Sequence, residues 1–388
     1  MTWDTIHEFE CPTRVFYGWG ASSEVGQRLV ELGVTRVLLV SDGGVRRAGI
    51  VEAIAEPIRT AGLDVAVYAD AQSNPTIGNV ADAVQVWHEH ACDGIVGLGG
   101  GSSMDCAKGA ALVASNGGSV AEYAGKERIP RDLPPLVCVP TTCGTGSEVT
   151  FNAVITDPEA RRKLGYVSRR LAPRVALVDP ELVLAAPPQV VAATGADALC
   201  HAVESYLNRG ADPLLDAINI GAIRLIGRSL RRAVHDRERE AIAQMALAST
   251  MAGIAFNMNA NAIVHAASTP VTARYGVPHG VANAIFMPAG LAFLAPACAE
   301  RLAEIAAALG EDVGGLAARE AADRGVEAVA TLLADVGLPG SLRAFGVDPA
   351  EVDVPALVED AMTSRNIATN PRAVTPGDLE HLYRTVLQ

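Results

Sequence analysis

At 388 residues the chain is longer than one hydrophobic core usually supports, so two domains are expected. Apolar residues make up 49% and charged residues 19%, the balance of a large soluble enzyme, and a net charge of −13 argues against nucleic-acid or anionic-membrane partners. The first ten residues carry neither a basic segment nor an apolar run, and charges and prolines interrupt every apolar stretch, so neither a signal peptide nor a membrane span is expected.

The seven cysteines (Cys11, Cys92, Cys106, Cys138, Cys143, Cys200 and Cys298) are scattered and never form C-x-x-C. They read as small buried hydrophobes in a reducing cytoplasm.

Residues 13–20 form an extended segment ending in a glycine turn, and the apolar run 36–40 followed by Asp42-Gly-Gly has the pattern of a buried parallel strand. A helix over 51–61 and a strand over 64–68 complete a βαβ unit. Asp42, at the end of its strand, is placed either to accept the adenosine ribose hydroxyls of NAD or simply to cap a turn; facing the ribose, its charge would repel the 2′-phosphate of NADP.

A third strand, 94–98, runs through Gly99-Gly100-Gly101-Ser102 straight into a helix. Glycines between a strand and a helix N-terminus let backbone N–H groups reach a pyrophosphate, although G-x-G-x-x-G is not matched. A fourth strand, 136–140, delivers Thr141-Thr142-Cys-Gly-Thr145-Gly-Ser147, a second turn rich in hydroxyls, either for a nucleotide or as a plain Ser/Thr turn. Two such turns after successive strands of one sheet argue for a nucleotide at the carboxyl ends of the strands.

From about Pro187 strand signals vanish, and Ala/Leu-rich helical periods run to the end, broken near 210–213, 277–278, 310, 337–340 and 370–371. The expected division is an α/β domain over residues 1–186 and an all-α domain over 187–388. The stretch from Gly195 reads as the opening of a helix. On it Asp197 and His201 stand four apart, one turn above the other on one face, where a carboxylate and an imidazole can share a divalent cation. His265 lies in an apolar segment that reads as a buried helix, so its imidazole needs a partner. His279 follows between Pro278 and Gly280, where proline bounds a helix and glycine leaves room for a close backbone approach.

One Asp and three His make a coherent ligand set. Imidazole suits iron, zinc, copper or nickel, so Fe2+ or Zn2+ is expected, in a catalytic site able to add a substrate oxygen or in a closed structural one. A nucleotide in the first half and a metal in the second would set a hydride donor against a Lewis acid. His7, His88, His90, His235 and His381 lie in polar surroundings and read as surface residues.

Together these motifs resemble the iron-containing (group III) alcohol dehydrogenase family, most nearly its lactaldehyde:1,2-propanediol reductases. The resemblance spans the chain and rests on GGGSSMDCAK (99–108), PTTCGTGSEVT (140–150), GADALCHAVE (195–204), PHGVAN (278–283) and Asn370-Pro-Arg. It implies a Rossmann-like NAD-binding domain joined to an all-α domain, the dehydroquinate synthase-like fold. It implies Asp197, His201, His265 and His279 as metal ligands, and Gly99, Gly100, Gly101, Ser102, Thr141, Thr142 and Thr145 at NAD(H), with Asp42 on the ribose and Lys163 nearby. The implied reaction interconverts a small aldehyde and its alcohol, in a homodimer to which the N-terminal extended segment could contribute.

The sequence departs from the family at one position. A histidine usual four residues after the third ligand is replaced by Thr269, so that Thr269 or a water relays the proton, or the pocket is reshaped. Arg274 and Thr272 would favour an anionic aldehyde, unless Arg274 is an ordinary surface charge. The rival readings are lyase chemistry on the same scaffold, a hydroxyacid–oxoacid transhydrogenase, and a non-catalytic binding protein.

Overall fold

The computed structural model describes residues 6–160, 162–210 and 212–388. These form two compact units, Cys11–Ala186 on one hand and Pro187–Gln388 with residues 6–10 on the other.

The first unit is built on nine strands: β1 (Arg14–Tyr17), β2 (Arg36–Val40), β3 (Asp64–Tyr68), β4 (Gly94–Gly99), β5 (Gly125–Lys126), β6 (Leu136–Pro140), β7 (Asn152–Asp157), β8 (Arg162–Val167) and β9 (Val175–Val178). Six of them make one all-parallel sheet in the order β1-β9-β6-β4-β2-β3. Its middle strands β4, β6 and β9 are buried along their whole length, which is why they read as unbroken apolar runs rather than alternating ones. The first crossovers are helical, through α1 (Val25–Glu31), the short α2 (Gly43–Arg47), α3 (Ile50–Thr60), α4 (Ile77–Glu89) and α5 (Gly101–Asn116), whereas β6 reaches β9 by way of β7 and β8, and α6 (Pro180–Leu184) follows the last strand. β4 and β6 are neighbours in register, Gly99 opposite Pro140, so the turns that follow them start side by side at one edge of the sheet.

Two features of this unit escaped the sequence reading. β9 inserts between β1 and β6, and β7 and β8 form an antiparallel hairpin that pairs through β8 with β5 in a second, three-stranded sheet.

The second unit contains α7 (Pro188–Leu207), α8 (Pro213–His235), α9 (Arg239–Asn259), α10 (Ile263–Tyr275), α11 (His279–Leu309), α12 (Ala318–Asp335), α13 (Leu342–Phe345), α14 (Val354–Met362) and α15 (Pro376–Val386). Among its described residues there is no strand. Where glycine and proline led a break to be expected the helices do break, as Asp212 caps α8 and Gly276 and Gly310 end α10 and α11 in left-handed conformation, but the breaks between α8 and α9 and between α9 and α10 were not expected.

Gly195 corrects one expectation. It lies well inside α7, which begins at Pro188, because a Cβ there would stand 2.4 Å from Leu230 of α8 and 3.0 Å from Met245 of α9. The glycine serves helix packing, not a helix start. A second correction concerns α9 and α11, both long and apolar enough to cross a membrane by length and composition. In this structure 61% of each apolar window is buried within the protein. The prolines do interrupt α11, which is kinked at Cys298 two residues after Pro296.

Candidate functional site

Asp197, His201 and Glu204 lie on one face of α7, at spacings of four and three, and all three are buried. α11 reaches them through Gly280: a Cβ on that residue would sit 2.0 Å from the Ala193 carbonyl of α7, so only glycine permits the contact. This close approach, anticipated from the sequence, brings His279 at the start of α11 over Asp197. α10 supplies His265, the third residue of a helix whose first N–H groups are capped from elsewhere. Ile263 N–H donates to Asn370 Oδ1 at 2.9 Å, Val264 N–H to Glu204 Oε1 at 2.6 Å and His265 N–H to Glu204 Oε2 at 3.2 Å.

The four expected ligands converge on one carboxylate oxygen. Asp197 Oδ1 lies 3.7 Å from His279 Nε2 and 3.9 Å from each of His265 Nε2 and His201 Nε2. The ligand atoms of Asp197, His265 and His279 all lie within 4.8 Å of one another. Atoms about 2.1 Å from a common ion stand roughly 3–4 Å apart, so the spacing suits a metal. The His201 ring stacks between Phe256 (4.2 Å between centroids) and His265 (4.7 Å). Asp197, His201 and His265 are enclosed, whereas the His279 side chain is 35% exposed, which leaves the group open on that side.

The donor set fits a cation. The amide nitrogen of Asn283 reaches Asp197 Oδ1 at 2.7 Å, His265 Nε2 at 3.2 Å and His279 Nε2 at 3.3 Å, so one partly positive N–H₂ group faces the carboxylate oxygen and two imidazole nitrogens. Ser268 Oγ–H donates to Asn283 Oδ1 and fixes the amide's orientation. Burial pushes the Asp197 carboxyl up, but His201, His279 and His265, helped by the Asn283 amide, outweigh it and hold the group below the usual carboxylate range. The carboxylate is thus kept ionised, as a metal ligand must be.

Cys200, Glu204 and His265 also cluster. That group is closed: Glu204 already accepts two backbone N–H groups and lies against His265 Nδ1, and burial drives the Cys200 thiol well above its ordinary range, so it stays protonated. Glu204, Asn283 and Phe256 received no role from the sequence. The signal for the first two was present as helical spacing, Glu204 seven residues after Asp197 and Asn283 four after His279.

In the sheet unit Asp42 and the two expected glycine- and threonine-rich turns gather at one end of the main sheet. α5, sixteen residues long, starts at Gly101 with Gly100 as its N-cap and no side-chain cap. A Cβ on Gly101 would stand 2.8 Å from Thr145 Cγ2, so this glycine lets the two turns meet, while one on Gly100 would make only ordinary contact with Thr142 at 3.5 Å. Thr141 N–H donates to Gly99 O at 3.0 Å. Gly99 has φ +140°, a conformation that other residues rarely adopt, and Ser102 is half-buried in the first turn of α5. Asp42 caps α2, accepting from Gly44 N–H at 2.8 Å and Val45 N–H at 3.0 Å, as the plainer alternative required. Its other oxygen accepts Ser103 Oγ–H at 2.8 Å, so the carboxylate also touches the glycine turn. Lys163 lies on β8, where burial pulls its ammonium down against the opposing pull of Asp105.

The substrate-side expectations fare differently. Thr269 Oγ–H donates to the His265 carbonyl at 2.7 Å, so its proton is engaged by the backbone. Arg274 pairs with Asp360 at 2.7 Å with both side chains more than 40% exposed, the ordinary surface charge. Thr272 is buried and its hydroxyl finds no partner among the described residues.

Comparison with known proteins places the chain as a whole. Residues 12–180 match the model of the iron-containing alcohol dehydrogenases, and residues 191–387 that of the Fe-containing alcohol dehydrogenase family, C-terminal. The NAD-dependent methanol dehydrogenase of Bacillus methanolicus is 40% identical over 380 residues, 98% of this chain and 99% of that one. The lactaldehyde reductase of Escherichia coli (strain K12) is 37% identical over 373 residues, 95% of this chain and 97% of that one. A crystal structure of a 1,3-propanediol oxidoreductase superposes with a TM-score of 0.96 at 39% identity, covering 99% of this chain and all of that one. Matched along almost its whole length, with the polar residues that the family motifs carry gathered in two clusters, the chain belongs to the iron-containing alcohol dehydrogenase family.

Proposed function

We propose that this chain is a metal-dependent, NAD(H)-linked oxidoreductase that interconverts a small primary alcohol and its aldehyde, with Fe2+ as the resident ion and Zn2+ or another divalent ion as substitute. The observation that carries the reading is the convergence of the Asp197, His265 and His279 lone pairs, with His201 beside them, in a buried site open on one side. When bound, the cation supplies Lewis-acid polarisation of the substrate oxygen, and the nicotinamide supplies or accepts the hydride.

This chain's own residues do the rest. Asp197, His201, His265 and His279 hold the ion, and the negative charge of Asp197 offsets part of its charge. The N–H groups following Gly100, at the uncapped start of α5, bind the pyrophosphate, and Thr141, Thr142 and Thr145 bind the neighbouring polar groups of the nucleotide. Asp42 faces the ribose and disfavours a 2′-phosphate, while Lys163 contributes positive charge. Thr269, its proton already given to His265 O, acts as an acceptor only, and water delivers the proton to the alkoxide. The engagement of Arg274 by Asp360 favours a neutral aldehyde over an anionic one. The free state of all seven cysteines suits the cytoplasm. β1, which among the described residues pairs on one side only, suits edge-to-edge association into a homodimer.

The test is NADH consumption by protein reconstituted with Fe2+ or Zn2+, against a panel of neutral and anionic small aldehydes. Oxidation of NADH with a neutral aldehyde is expected. No consumption with any aldehyde, metal and NADH both being bound, would overturn the reading in favour of lyase, transhydrogenase or binding roles.

A further inference from the structure

Glu204 is fully buried yet makes no ion pair with Lys or Arg among the described residues; its two oxygens are spent on α10. Oε1 accepts the Val264 N–H at 2.6 Å. Oε2 accepts the His265 N–H at 3.2 Å and lies 2.6 Å from His265 Nδ1. A carboxylate only accepts, so the ring nitrogen facing it must carry the proton. The other nitrogen, Nε2, is then the lone-pair nitrogen, and it is the one directed at Asp197 Oδ1 and the Asn283 amide.

We infer that Glu204 is the positioning carboxylate of the metal site: in one contact it anchors the start of the helix that carries His265, and it fixes that ring with Nδ1 protonated and Nε2 presented to the cation. This deepens, and rests on, the metal-dependent reading above. The two functions are linked by covalent geometry. Glu204 lies one turn after His201 on α7, so the helix that presents two ligands also dictates the tautomer of the third from a different helix. A histidine ligand whose second nitrogen donates to a carboxylate is both oriented and made more basic, and loss of such a partner typically costs about 10–100-fold in metal affinity.

Gln in place of Glu204 cannot serve all three donors. Whichever way its amide turns, an N–H₂ group meets either the Val264 N–H or the His265 pair, so the cap or the tautomer is lost. Asn370→Ala is the control, since it removes the Ile263 cap at the same helix end and leaves His265 Nδ1 untouched.

The experiment has two arms. In the first, nitrogen NMR of metal-free wild-type protein labelled at histidine reads the His265 tautomer. Protonation at Nδ1 is expected, and protonation at Nε2 overturns the inference whether or not any variant folds. In the second, Zn2+ affinity is measured by chelator competition on wild-type protein, E204Q and N370A. E204Q is expected to lose about 10–100-fold, and N370A to stay within about threefold. Equal losses in the two variants, or none in E204Q, would reduce Glu204 to a helix cap. Failure of the wild-type protein to bind Zn2+ or Fe2+ at all would instead defeat the metal reading itself, leaving the tautomer arm to stand alone.

Discussion

In the sheet unit the fully buried ammonium of Lys108 is ringed by oxygens: Ser147 Oγ at 3.1 Å, Thr150 O at 2.8 Å, Thr150 Oγ1 at 3.2 Å and Asn152 O at 2.8 Å. Asp105 closes the same network, accepting from Ser147 Oγ–H at 3.0 Å and from Val154 N–H at 2.9 Å. In the helical unit Asp197, His201 and His265 are buried and His279 is partly exposed, and one Asp197 oxygen meets three imidazole nitrogens across 3.7–3.9 Å while accepting from the Asn283 amide. The first cluster is rich in donors and acceptors that match, and burial pushes both Lys108 and Asp105 toward their neutral forms. The second gathers a carboxylate and imidazole nitrogens, the atom types that ligate a metal, about one point. A buried polar cluster that balances within itself is architecture, joining α5 to the turn after β6; one left with converging lone pairs calls for a cation.

The contrast is most directly broken by His265→Ala. Removal of one ligand is expected to cost about 4 kcal/mol of transition-state stabilisation, about a thousandfold in turnover, together with metal retention. NADH binding, read by fluorescence titration, should persist. A variant that keeps metal and turnover would show that the convergence of ligand atoms has no bearing on function.

Lys108→Met tests the other cluster. It strands several buried acceptors and is expected to lower stability by about 2–4 kcal/mol in denaturant unfolding, with the metal content of the folded protein unchanged. Loss of metal in that variant would show that the two clusters are not the separate cases described above.

Gly280→Ala sharpens the comparison at the helix contact. With the new Cβ 2.0 Å from the Ala193 carbonyl, α11 must shift from α7, for about 1–3 kcal/mol of stability and about a tenfold loss of metal affinity by chelator competition. Thr269→Val should do least. Its proton is already spent on His265 O, so turnover is expected within about twofold of wild type, and a much larger fall would restore Thr269 as the proton relay.

The sequence alone determined what local rules can reach. Unbroken apolar runs gave the central strands, glycine and proline gave the helix breaks, and spacing of four put Asp197 and His201 on one face. The small-residue setting of His265 declared an imidazole in need of a partner, and Gly280 declared a close approach. Tertiary structure alone decided who met whom. It assigned Glu204 rather than a solvent group to His265, set Asn283 among the ligands, turned Arg274 to Asp360, and inserted β9 beside β6. It also used Gly195 for helix packing in the middle of α7. The physical reason is the range of the forces involved. Backbone preference and amphipathic period act over a few residues, whereas the partner of a buried donor or acceptor is chosen by packing between helices some sixty residues apart in the chain, as Glu204 and His265 are.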